Sequence, residues 1–280
     1  MYSVNQLRDY STLFTRSEIL KLLNNNFNSI NLKIDRYPFG AKFKGSSYLS
    51  FFKSIYGVLK ENYQNEYIFK NQFLNNWLIH ELGSCESLIY NELRLGKVIA
   101  DLAMFNGVSK VFEIKTPLDK EYRLSHQLQS YKKIFNEVYI IIPANLFDKY
   151  VAFDDTVGII TYENSSFFLK RDATRNYELD ANLLMEVLHT NEYKFIVSEF
   201  YNVVPEMNSF NQFGLCKELI SKIPSCELNK LFLNVMKKRK INNIFFKKRH
   251  NEFNQVCLSL NLTSDQKRNL IQNLKTNIIN

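Results

Sequence analysis

Two apolar runs separated by Asn106-Gly107 constrain this chain more than any other stretch: Val98-Ile-Ala-Asp-Leu-Ala-Met-Phe105 and Val108-Ser-Lys-Val-Phe-Glu-Ile-Lys115. Asparagine followed by glycine between apolar runs is a hairpin signal, because both residues tolerate a positive φ. Three ionisable residues, Asp101, Glu113 and Lys115, interrupt the two strands so predicted. Burying a carboxylate or an ammonium is costly unless it is paired or bound to metal, so charges at these places need a reason beyond solubility. Side chains alternate along a strand, which puts Glu113 and Lys115 on one face and Ile114 on the other. The turn then brings Asp101 beside Glu113. Carboxylate oxygens are hard ligands that suit Mg²⁺ or Mn²⁺, ions that keep several waters and complete their shell with phosphate oxygens. The pattern predicts a metal site with a neighbouring lysine. The competing reading is a same-face ion pair on a solvated strand, against which the apolar Val111, Phe112 and Ile114 argue for burial.

Downstream, Gln127-Leu-Gln-Ser-Tyr131 places Gln127 and Tyr131 four residues apart, on one helical face. Upstream, Glu66 lies in a polar helical stretch, and Glu92 in Tyr-Asn-Glu-Leu-Arg shares a strand face with Arg94. With these residues the chain resembles the PD-(D/E)XK nuclease superfamily, whose pattern is an acid on one strand and Glu-x-Lys on the next, here Asp101 and Glu113-Ile-Lys115. The Gln127 to Tyr131 segment is similar to the Gln-x-x-x-Tyr helix of its lambda-exonuclease-like branch. The stretch from Asn65 through Pro143, with Arg171-Asp-Ala173, also looks like an uncharacterised bacterial family of that superfamily. Ala100 stands where the pattern has proline, a departure that leaves the metal-binding acid in place. The resemblance implies a metal held by Asp101, Glu113 and the Ile114 carbonyl, with Glu66 assisting; Glu92, by its place on the first strand, is a rival or additional acid. It also implies that Lys115 orients or deprotonates the attacking water, and that Gln127 and Tyr131 position the substrate backbone. The alternatives are a solvated helix face for Glu66, a cross-strand salt bridge for Glu92, and for Tyr131 a packed ring at a helix-sheet boundary. Neighbouring cations Lys120, Arg123 and His126 carry little weight, since loop and surface charges are commonly just solvated.

The order of elements reads helix with Glu66, strand, strand with Asp101, strand with Glu113, helix with Gln127, and Val138-Tyr-Ile-Ile-Ile142 as a fourth strand closed by Pro143. That α-β-β-β-α-β order is the superfamily core, so the fold class expected is α/β, a restriction-endonuclease-like mixed sheet flanked by helices. A further hairpin, Val157 to Tyr162 and Phe167 to Lys170, extends the sheet at its edge. Three segments follow: a helical arm over 1–64, a core over 65–172, and a helical region over 173–280. Thr15-Arg-Ser-Glu18 marks a helix start in the arm, Tyr37-Pro-Phe-Gly40 and Lys44-Gly-Ser-Ser47 mark breaks, and Ser264 is the expected cap of the last helix.

The chain has 280 residues with 36 Lys plus Arg against 28 Asp plus Glu, a net charge of +8 that favours a polyanionic partner. Lys237-Lys-Arg-Lys240 and Lys247-Lys-Arg-His250 flank Ile241 to Phe246, a basic, aromatic-bearing patch that reads either as a phosphate grip or as solvated charge around a core helix. Cys85, Cys216, Cys226 and Cys257 lack metal-ligand spacing and are too few for a disulfide framework, so they read as reduced core thiols. No run approaches the roughly 20 apolar residues of a membrane span, and the start is unlike a signal peptide, so a cytoplasmic protein with no membrane partner is expected. The function expected is metal-dependent phosphodiester hydrolysis, with DNA the expected nucleic acid and Mg or Mn the cofactor. The alternative is a catalytically silent module of the same fold that binds nucleic acid or a protein partner, within a defence or mobile-element system. The helical arms are candidate contacts for a second copy of the chain or for another protein.

Overall fold

The computed structural model describes residues 2–63, 65–83, 87–116, 119, 121–203 and 205–279. Cys85 and Lys120 lie outside them. The chain divides into two compact units, residues 1–80 with 242–280, and residues 81–241. These boundaries differ from a division after 64 and 172, and the apolar clusters give the reason. The helix Glu66–Phe73 buries Ile68 in a cluster with Phe14, Phe52 and Phe253, all in the first unit. Asn71 on the same helix donates to the Tyr56 hydroxyl and to the Asn251 carbonyl. The helix expected to open the α-β-β-β-α-β order therefore belongs to the first unit, together with the C-terminal segment.

The second unit is a mixed α/β structure built on a six-stranded sheet. Its strands are β1 (Leu88–Leu95), β2 (Val98–Phe105), β3 (Ser109–Ile114), β4 (Glu137–Pro143), β5 (Gly158–Glu163) and β6 (Ser166–Arg171), lying side by side in chain order. β1, β2 and β3 form an antiparallel meander. β4 then pairs parallel with β3, and β5 parallel with β4, while β6 returns antiparallel at the edge. A parallel pair needs a crossover, and the helix Leu124–Lys132 supplies the one between β3 and β4. Buried on both faces, β4 reads as the continuous run Val138 to Ile142. Gly107 sits in the β2–β3 turn with φ 105°, a conformation open to glycine. Asn136, at the start of β4, is buried and ties the layers. Its Oδ1 accepts from the Ser109 N–H and hydroxyl, and its Nδ2 donates to the Asn176 carbonyl and to Asn229.

The first unit is helical. Arg16–Leu23 follows its N-cap Thr15, and Tyr48–Asn62 follows Ser47, whose hydroxyl accepts from the Ser50 N–H. Three expectations are corrected. Tyr37 to Gly40 does not simply break the chain, since Pro38 opens a short helix, Pro38–Ala41, where its missing N–H costs nothing. The cap of Ser264–Leu274 is Thr263 rather than Ser264, because Gln266 completes a reciprocal capping box with Thr263. Cys216 and Cys257 are buried but Cys226 is exposed, lying in the first turn of Ser225–Lys237 ahead of its first buried position, Leu228. Among the described residues no helix is long and apolar enough to cross a membrane.

Candidate active site

Strand register assembles the site. Leu102 pairs with Phe112 and Ala103 with Val111, so one step further along the antiparallel ladder Asp101 stands across from Glu113. Asp101 Oδ2 accepts the Ile114 N–H at 2.9 Å. Lys115 lies just beyond β3, where its N–H donates to the Ile141 carbonyl and keeps it in strand geometry. Alternation then returns its side chain to the face of Glu113, and Nζ reaches Glu113 Oε1 at 2.7 Å. Both side chains are buried, Glu113 at 3% exposure and Lys115 at 6%.

The crossover helix closes over this pair. Leu124, Leu128 and Tyr131 form its buried face, and the four-residue spacing aims Gln127 and Tyr131 at the same carboxylate. Gln127 Nε2 donates to Glu113 Oε1 at 2.7 Å, while Gln127 Oε1 accepts from Lys115 Nζ at 3.2 Å. The Tyr131 hydroxyl lies 2.7 Å from Glu113 Oε2 and 3.0 Å from the Ile99 carbonyl. Tyr131 is 0% exposed, so its hydroxyl faces Glu113 and not solvent.

Burial, and after it the charge of Asp101, pushes the Glu113 carboxyl up to about 7, against the pull of Lys115 and the Tyr131 hydrogen bond. Burial and the Glu113 charge likewise hold the Tyr131 phenol far above its ordinary range. The phenol has one hydrogen and two acceptors in reach, so it shares that hydrogen between Glu113 Oε2 and the Ile99 carbonyl.

The other sequence-predicted residues are placed as follows. Glu66 belongs to the first unit, 67% exposed at its side chain, and pairs with Lys70 at 2.6 Å. Glu92 sits at the β1 position across from Asp101, between the pairs Asn91 with Leu102 and Leu93 with Ala100, and adopts φ 54°. That left-handed conformation interrupts the alternation of β1. Among the described residues no three His, Cys, Asp or Glu side chains converge as a metal-holding group. His126 and Arg123 are exposed, and the Arg123 guanidinium stacks on Tyr122. The Arg171 guanidinium donates to the Val151, Asp154 and Val157 carbonyls, which gives it a structural task at the β5–β6 end of the sheet. In the basic patch, Arg239 pairs with Glu192 and Lys238 lies over the Phe195 ring at 4.3 Å.

Sequence reasoning missed two supports. Asp119 Oδ2 accepts from the Thr116 N–H and hydroxyl at 2.7 and 2.8 Å, pinning the chain immediately after Lys115. The Thr-x-x-Asp spacing is the only local signal of it. The Ile99 carbonyl acts through its backbone, which no residue type announces.

Comparison with the curated proteins finds no match. Among solved structures, a protein of unknown function from Silicibacter pomeroyi aligns with 50% of this chain and 92% of its own at 10% identity. Its TM-score is 0.33, a likeness too slight to carry an argument about the fold. A family model, bacteriophage P4 protein cII, matches residues 59–263. That span takes in the whole sheet, the Asp101–Glu113–Lys115 cluster and the crossover helix, and over this greater part of its length the chain belongs to the bacteriophage P4 protein cII family.

Proposed function

We propose that the second unit is a metal-dependent nuclease with a restriction-endonuclease-like core, hydrolysing phosphodiester bonds in nucleic acid, DNA first among them. The observation that carries this reading is the apposition of Asp101 and Glu113 across β2 and β3 with the Lys115 ammonium 2.7 Å from Glu113. The donor set fits Mg²⁺ or Mn²⁺: two carboxylates and the Ile114 carbonyl supply hard oxygens, and too few protein ligands are present to close the shell, which suits an ion that keeps water and substrate oxygens. A cation beside Glu113 would also offset the repulsion from Asp101 that raises its pKa. Bound there, a divalent ion would polarise the scissile phosphate and acidify a water.

The residues of the chain do the rest. Asp101 is oriented by the Ile114 N–H, and Glu113 by Gln127 and Tyr131. Lys115 holds a positive charge where the attacking water and the pentacovalent phosphate would stand, stabilising negative charge as it develops. Tyr131, being fully buried, is a positioning residue that acts through Glu113. Gln127, only half-buried, is the helix residue available to a phosphate. Glu92, in the same unit as Asp101 and at the β1 position across from it, is a candidate additional acid beside Glu66.

One observation favours the second reading, a silent binding module. The Glu113 oxygens are already engaged by Lys115, Gln127 and Tyr131, a closed network that would persist as a purely structural one. Cleavage of supercoiled, linear and single-stranded DNA with Mg²⁺, Mn²⁺ or EDTA separates the two. Metal-dependent cutting abolished by Asp101→Ala and by Lys115→Ala is the expected result. DNA retained in a gel shift without cutting on any substrate would leave the binding module.

A further inference from the structure

The first unit holds a cavity that the proposed nuclease chemistry does not use. It measures about 290 Å³ and is lined by residues of the C-terminal segment 244–275 alone. Phe245 and Phe246 give it an aromatic wall, and Lys267, Arg268, Lys275 and His250 give it four basic side chains. Among the described residues no carboxylate lines it, though Glu252 stands beside His250.

Lys267 sets its character. The side chain is 5% exposed, and its ammonium donates to the Ile244 carbonyl. Among the described residues it has no acidic partner, a costly state for a buried ammonium. Burial accordingly holds its pKa below the ordinary lysine range. His250 stands beside a buried acid: its side chain is 14% exposed, its Nδ1 lies 4.0 Å from Glu252 Oε1 without a hydrogen bond, and its ring is edge-on to Phe246 with centroids 5.7 Å apart. Arg268 is exposed at the rim and pairs with Asp265 on its own helix at 3.1 Å. A buried cation without an anion, beside an aromatic wall, complements a phosphate joined to a flat ring. The volume lies at the small end of ligand pockets, roughly 300–1,000 Å³, which suits one such unit rather than two.

We propose that this cavity binds a single nucleotide unit, its phosphate on Lys267 and Lys275 and its base against Phe245 and Phe246. The unit comes either free, as a nucleoside monophosphate, or as the phosphorylated end of a strand, and the site does not depend on the nuclease reading.

Calorimetric titration of the full chain in EDTA tests it, with AMP, TMP, adenosine, inorganic phosphate and a 5′-phosphorylated oligothymidylate as probes. Lys267→Met keeps the stem and removes the charge, a change that leaves a buried site as stable or more so. Lys275→Ala, at an exposed position, keeps the test open if Lys267→Met fails to fold. Mononucleotide binding weakened tenfold or more by Lys267→Met, several-fold by Lys275→Ala and by Phe245→Ala, and unaltered by Asp101→Ala is the expected result. Adenosine and phosphate should each bind at least tenfold more weakly than AMP. Binding confined to the oligothymidylate, with the same dependence on Lys267, assigns the site to a strand end. Absence of binding by every nucleotide probe, binding indifferent to these substitutions, or phosphate binding as tight as that of AMP overturns the proposal.

Discussion

Glu113 and Lys115 are each buried at a level few charges tolerate, and each is stable there because of the other. Lys115→Met should therefore cost about 3–5 kcal/mol in urea denaturation near pH 8, where the buried carboxyl loses its cation and must either stay ionised unpaired or take up a proton from a solution above its pKa. Adding Glu113→Gln to it should recover most of that loss, and a double-mutant cycle would read the coupling. Glu92 makes a second case. A non-glycine residue at φ 54° stores roughly 1–2 kcal/mol, so Glu92→Gly should raise stability by about 1 kcal/mol in the same assay, while Glu92→Ala should not. Strand alternation made the Glu113–Lys115 pair readable from residue order. The backbone of Glu92 was not readable, because nothing in Tyr-Asn-Glu-Leu-Arg marks a left-handed residue.

Elements are held by contacts that their own sequences announce only in part. Thr190–Tyr201 begins with a capping box in which Glu192 accepts the His189 N–H, and Glu192 is recognisable as its third residue. Its stronger partner is not: Arg239, from the basic run that reads as a phosphate grip, donates to both carboxylate oxygens at 2.6 Å. Burial alone would raise the Glu192 pKa, yet the Arg239 and His189 hydrogen bonds prevail and hold it below the ordinary glutamate range. A carboxyl whose pKa is lower folded than unfolded adds stability above the unfolded value and loses it as pH falls through the folded one. Glu192→Gln should thus cost about 1–3 kcal/mol at pH 7, and its melting curve should approach that of the parent only as pH falls below the ordinary glutamate range and through the lowered folded pKa. The crossover helix is the counterpart at the candidate site. Its four-residue spacing foretold that Gln127 and Tyr131 share a face, but their common target is Glu113, reached by folding the helix back over the sheet.

At the scale of the molecule, each unit has its own apolar cluster. One runs from Tyr90 to Met236 and the other joins residues 7–68 to 253–278. The second unit is continuous in sequence and carries Asp101, Glu113, Lys115, Gln127 and Tyr131, so residues 81–241 expressed alone should give a cooperative melt with near-UV dichroism. Residues 1–80 without 242–280 should not, since Phe253, Leu270 and Leu274 complete their core. By itself the sequence determined the strands, their order through β6, the hairpin turn and the face shared by Glu113 and Lys115. These follow from periodicity and turn chemistry, which act over a few residues. Only the tertiary structure decided that the Glu66 helix joins the C-terminal segment, that Tyr131 is sealed against Glu113, that Arg239 serves Glu192, and that Lys267 is buried with no acid beside it among the described residues. Those outcomes depend on which distant segments share a core, and burial there sets both the partners and the cost of each charge.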